Sequence, residues 1–344
     1  MRTSRGALLR YLALRLVLII PTVFILVSVV FFFMRVIGDP ITAAQGGRLS
    51  PEQLEARRES AGYNRPVLVQ YGEYLSQVVR GDFGTSFSDH RRISDVLITN
   101  GAATLELVIW ALLVAFLVGI PLGRLAARFH DRIADVTIRS FAILFYAAPV
   151  FFVGLLLKLL FSSKLGWLPS SGRASTDVQL ALDRQGSTTH FMIVDAIRSG
   201  NGEYIADVLK HAVLPATALG LLTAGIFIRL IRINMLETMR TDFVTAARAR
   251  GVPERKVVSR HAYRNALIPV VTVMGMEIAL LLGSSILTET TFEWKGIGYI
   301  LSQYLLARDF VAVQGLVTAI AIVVAVSSFL VDVINALVDP RVRY

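Results

Sequence analysis

The chain has 344 residues, 54% hydrophobic and only 17% charged, with 35 Lys and Arg against 25 Asp and Glu for a net charge of +10. Soluble domains carry about 25% charged residues, so this composition excludes a soluble globular protein and a disordered one and points to several membrane spans. With no cysteine, disulfides, thiolate metal sites and a cysteine nucleophile are excluded as well.

In chain order, a basic segment 1–15 precedes a charge-free run that predicts a transmembrane helix over 16–35. That run is too long for the apolar region of a signal peptide, and no small-x-small cleavage site follows it. Residues 36–100 form an external segment with a helix near 54–60 and a turn at Gly81-Asp82-Phe83-Gly84. From 101 to 338 the chain reads as a transmembrane domain, with helices over about 103–124, 139–160, 212–232, 266–288 and 310–334. Each supplies most of the roughly 20 apolar residues a span requires. A second external segment, 163–211, is rich in Ser, Gly, Asp and Thr and predicts loops with a short helix, and 339–344 is a polar tail. The expectation is an all-α membrane protein with six transmembrane helices. Gly119 and Gly123 read as helix packing, and Pro21, Pro121, Pro149, Pro215 and Pro269 as kinks or helix starts.

Six spans place both termini on one side. The segments on that side, 1–15, 124–139, 229–264 and 339–344, hold 19 Lys and Arg against six acids. The positive-inside rule therefore puts both termini in the cytoplasm. The basic excess is a topology signal, its partner an anionic lipid surface rather than nucleic acid.

Among these segments, 241–269 (TDFVTAARARGVPERKVVSRHAYRNALIP) is the most informative. Thr241 and Asp242 are N-cap candidates, the chain breaks at Gly251, and Pro253 suits the first position of a second helix. Two short helices should meet at Gly251. Ala246 and Ala247 are small enough for close approach to another protein, and flanking Arg250 and Arg255 can pair with its carboxylates. On physical grounds alone, an amphipathic helix lying on the lipid surface is the simpler reading.

The pattern, however, resembles the cytoplasmic EAA loop of binding-protein-dependent ABC importer permeases, above all the dipeptide/oligopeptide branch. The residues concerned are Ala247-Arg248-Ala249-Arg250-Gly251, His261, and Arg264-Asn265-Ala266-Leu267 with Pro269. Thr245 stands where the general pattern has Glu. Arg80-Gly81-Asp82-Phe83-Gly84-Thr85-Ser86, Ala103-Thr104-Leu105-Glu106-Leu107, Gly119-Ile120-Pro121-Leu122-Gly123, Leu165-Gly166-Trp167-Leu168-Pro169 and Asp339-Pro340-Arg341 resemble the same branch, in order along the chain. Gly62-Tyr63-Asn64-Arg65-Pro66 and Trp294-Lys295-Gly296 depart from its usual Gly-Leu-Asp-x-Pro and Trp-Pro-Gly. The resemblance implies a type I ABC importer permease carrying short peptides, with nickel, glutathione and haem-like cargo as alternatives. It also implies a second homologous permease, two ATP-binding cassette subunits and an external solute-binding protein. Ala246, Ala247, Arg250, Gly251 and Arg255 would then couple to the ATPase.

No GxxxxGK[ST] phosphate cradle occurs. The chain is therefore expected to hold no cofactor and to catalyse nothing, with ATP and Mg bound by the partner subunits. There is no HExxH, and the five histidines lie outside the middles of the spans, which disfavours a membrane protease. Glu277 sits mid-span, as either a packed structural carboxyl or one lining a translocation path. Glu106, Lys158, Arg229 and Asp332 lie near span ends, where snorkelling or a surface partner explains them. A stand-alone secondary transporter is the rival reading, weakened by the lack of internal repeats.

Overall fold

The computed structural model describes residues 5–38, 41–42, 50–60, 62–186, 189–258 and 263–338. The expected tail 339–344 and His261 fall outside them. Among the described residues every regular element is helical, apart from an isolated bridge between Thr85 and Arg92. The helices are α1 (Arg5–Ile37), α2 (Pro51–Ser60), α3 (Val67–Val79), α4 (Ile93–Arg128), α5 (Ile133–Ala147), α6 (Val150–Leu157), α7 (Thr176–Arg184), α8 (Met192–Arg198), α9 (Gly202–Met239), α10 (Asp242–Ala249), α11 (Glu254–Lys256), α12 (Tyr263–Ala266), α13 (Ile268–Phe292), α14 (Ile297–Leu306) and α15 (Phe310–Val338).

Among the described residues, four helical segments are long and apolar enough to cross a membrane: 13–36 of α1, α4, α9 and 310–331 of α15. A bent pair, α5 with the stretch Val150–Lys164, supplies a fifth if it is one span. The sixth apolar stretch lies in α13, 25 residues long, several of whose side chains are outside the described set. The third expected span, 139–160, is not one straight helix. It breaks between Ala147 and Val150 at an angle of 106°. Pro149 is the cause: it holds Ala148 extended (φ −74°, ψ 134°) and offers no N–H to continue the ladder. Beyond the break, α6 runs into a π-helical stretch, Lys158–Lys164.

The described residues divide into two compact units, one containing those up to Thr104 with Lys295–Leu330, the other those within Leu105–Trp294 with 331–338. In the first, α1 and α3 pack through Val27, Phe31 and Tyr74. Buried Asp309 caps α15 by accepting from the Ala312 N–H (3.1 Å) and gathers the loop at 86–88 through Phe87 N–H (2.7 Å), Ser88 N–H (2.9 Å) and two hydroxyls.

The second unit is built around α9, which packs against α5, α6, α8 and α13. Glycines set its closest contacts. A Cβ on Gly220 would sit 2.5 Å from the Ala111 carbonyl oxygen of α4, and one on Gly225 would sit 2.7 Å from that of Ala142 on α5. Gly119 and Gly123 of α4 press against Phe227 and Ile231 in the same way, so their reading as packing residues holds. Glu106 does not snorkel. It is 2% exposed, and it accepts from Arg173 and from the backbone N–H groups of Met192 (3.2 Å) and Ile193 (2.9 Å). Arg173 in turn lies over the buried Trp294 ring. A loop of the segment 163–211 thus supplies the partner that a span-end carboxylate needs.

Candidate coupling site

α9 ends at Met239, and one extended residue, Thr241 (φ −79°, ψ 153°), re-aims the chain into α10. Thr241 occupies the N-cap position, but its hydroxyl donates backward to the Thr238 carbonyl (2.6 Å) and does not cap. Asp242 in the first turn favours the helix through the dipole.

The end of α10 explains Gly251. Its φ is +74°, its N–H donates to Arg248 O (2.9 Å), and the Val252 N–H donates to Ala247 O (3.2 Å). This pair of bonds is a Schellman termination, which places glycine in the left-handed position and brings an apolar residue back over the last turn. Nothing lies within 4 Å of a Cβ built on Gly251, so backbone conformation alone selects glycine here. Val244, Ala247 and Val257 form a small core closed by Met239 and Val252. Across the bend, Arg248 donates to both Glu254 oxygens (3.0 and 2.7 Å). Those hydrogen bonds hold the Glu254 carboxyl below its usual range.

The five residues expected to couple therefore divide. Ala246, Arg250, Gly251 and Arg255 are exposed, whereas Ala247 is 8% exposed and belongs to the segment's own core. The second helix starts one residue later than the sequence predicts, with Pro253 just before α11 rather than at its first position, and it continues as a π-helical turn at 257–258.

Two contacts tie this segment into the membrane helices. Asp135 of α5 is fully buried and accepts from Arg232 Nε (2.6 Å), Arg232 Nη2 (2.8 Å) and the Asp131 N–H (3.0 Å). It clamps α5 to the stretch of α9 that leads into α10. Past the segment, Arg124 of α4 lies over the Tyr263 ring of α12 at 4.3 Å. Neither pair is visible in the sequence, where Asp135 has several arginines of equal claim; only its i,i+4 neighbour Arg139 is a local signal. Glu277, on α13, is 6% exposed and makes no hydrogen bond or ion pair among the described residues.

The sequence pattern described as the binding-protein-dependent transport system inner membrane component matches residues 119–344, and that family's N-terminal pattern matches 8–108. The chain belongs to this family of inner-membrane permeases. The permease is 36% identical over 339 residues to the di/tripeptide transport system permease protein DppB of Pseudomonas aeruginosa, covering 98% of this chain and 99% of that one. It is 37% identical over 340 residues to the dipeptide transport system permease protein DppB of Escherichia coli K12, with the same coverage. The glutathione transport system permease protein GsiC of Salmonella choleraesuis is 32% identical over 338 residues, 98% of this chain and 100% of that one. The permease is thus a multi-pass protein of the inner membrane and a transport subunit of an ABC importer.

Proposed function

We propose that this permease moves short peptides into the cytoplasm, lining the path together with a second homologous permease. It has six spans with both termini cytoplasmic. Two ATP-binding cassette subunits bind ATP and Mg beneath it, and an external solute-binding protein delivers cargo. The full-length similarity to two dipeptide permeases carries the cargo class. The glutathione relative favours a neighbouring reading, in which the cargo is glutathione.

In this mechanism the chain forms and breaks no covalent bond. Closure of the ATPase dimer pushes the segment 241–258. The bend at Gly251 and the small core beneath it make that segment one body, so the push passes into α9 and, through the Asp135–Arg232 clamp, into α5. Exposed Ala246, with Arg250 and Arg255 beside it, meets the ATPase, while Ala247 holds the segment together.

Ala246→Trp in the reconstituted complex tests this. The variant should reach the membrane and bind loaded solute-binding protein, yet lose ATPase docking or the stimulation of hydrolysis by cargo. A helix that merely lies on lipid would tolerate or welcome the same ring. Full stimulation and transport in Ala246→Trp would overturn the coupling role.

A further inference from the structure

A groove of about 500 Å³ runs between α5 and α9. Its floor is the close contact of Gly225 with Ala142, and its walls are Ile143 and Tyr146 on α5 and Ile226 and Ile233 on α9. Its mouth carries Arg139, Arg229 and Arg232. Asp135 lies among these three cations, and the Asp131 carboxylate adds a longer-range attraction at Arg232. Asp135 is engaged by Arg232 and lies 3.6 Å from Arg139. Arg229, exposed on the groove wall, makes no hydrogen bond or ion pair among the described residues. The cations at the mouth therefore outnumber the carboxylates, three against two, and Arg229 is the one left without a counter-charge among the described residues.

Depth identifies what would balance them. Arg139 immediately precedes the charge-free run 140–157, and Arg229 immediately follows the charge-free run 212–228. Both guanidiniums sit at the edge of the apolar zone, on the side with the basic excess. Lipid phosphates lie at that level. Ile143 and Tyr146 lie one and two turns deeper on α5, and Ile226 one turn deeper on α9. The groove is cationic at headgroup depth and apolar at acyl depth.

We propose that this groove is a binding site for an acidic phospholipid of the basic-side leaflet. Arg229 and Arg139 hold the phosphate, Arg229 supplying the uncommitted guanidinium fork. One acyl chain lies along Ile143, Tyr146 and Ile226. The Asp135–Arg232 clamp forms the groove's polar edge, so the bound lipid also braces the junction between α5 and α9.

The test uses the whole transport complex in nanodiscs of phosphatidylcholine, with or without phosphatidylglycerol, followed by delipidation and native mass spectrometry. The wild-type complex should retain phosphatidylglycerol. Arg139→Gln with Arg229→Gln should lower that retention at least tenfold, while Arg240→Gln, outside the groove, should leave it unchanged. A photoreactive residue at position 143 in the otherwise wild-type complex gives an independent reading that does not depend on the double variant assembling. It should label lipid, and added phosphatidylglycerol should compete where phosphatidylcholine does not. Equal retention in the double variant would overturn the proposal. So would a position-143 probe that labels the partner permease or a cargo peptide instead of lipid.

Discussion

Replacing Asp135 with Asn probes the clamp beneath the segment 241–258. Of the three donors aimed at this carboxylate, two approach Oδ2: Arg232 Nη2 at 2.8 Å and the Asp131 N–H at 3.0 Å. With Oδ1 kept on Arg232 Nε, the new amide nitrogen faces those two donors, and Arg232, whose side chain is 14% exposed, loses its counter-charge. Removing one partner of a buried pair costs about 3–5 kcal/mol. Arg232 keeps some access to solvent, so the lower end applies, about 3 kcal/mol, or about a hundredfold in an equilibrium constant. Arg248→Gln is the control, because its partner Glu254 is exposed and such pairs contribute about 0–1 kcal/mol. The assay is the half-inactivation temperature of the detergent-solubilised complex, read by binding of loaded solute-binding protein. Asp135→Asn should fall well below Arg248→Gln. Adding Arg232→Met should recover part of the loss, since no unpaired charge then remains buried. Equal behaviour of Asp135→Asn and Arg248→Gln, or a double variant as poor as the sum of its singles, would refute the clamp.

Gly220→Ala should lower assembly and stability by about 1–3 kcal/mol through overpacking against Ala111 and Val114; Gly283→Ala, which meets nothing within 4 Å, should be silent in the same melting assay. The Glu254 carboxyl is depressed by Arg248, so its small contribution is present above the ordinary carboxylate range and lost as pH falls through the depressed value. Hydrogen exchange in 242–256 should accelerate across that acid window in wild type, and Glu254→Gln should abolish the pH step. Glu277→Gln should weaken uptake with assembly intact if the carboxyl meets a cationic cargo group, or lower detergent stability if it is structural; normal uptake and stability together would exclude both roles.

The sequence made the helices legible but not their ends. Hydropathy placed a span at 212–232, while the helix runs Gly202–Met239, because its flanks are polar and are held by packing and by the Asn201 cap rather than by lipid. The 106° break was marked by Pro149, yet proline alone does not tell a slight kink from a full change of direction. Gly251 was readable because a Schellman end demands glycine locally. The burial of Ala247 was not, because it depends on Val257 returning over α10 after the bend. Glu106 with Arg173, and Asp135 with Arg232, lie far apart in sequence, and only the folded chain selects those partners.

The glycine contact of α9 has a mechanical consequence. Gly220 lies at the midpoint of a 38-residue helix, and there α4 approaches so closely that no side chain fits between. At about 1.5 Å per residue, roughly 27 Å of helix extends to either side of that point. Gly119 and Gly123 bring α4 as close again at Phe227 and Ile231, so from its midpoint toward Met239 α9 is held to α4 along a line rather than at a point. A push at the Met239 end is then shared by both helices as one stiff body, and a tilt of about 10° about Gly220 would carry that end roughly 5 Å with no change in the helix itself.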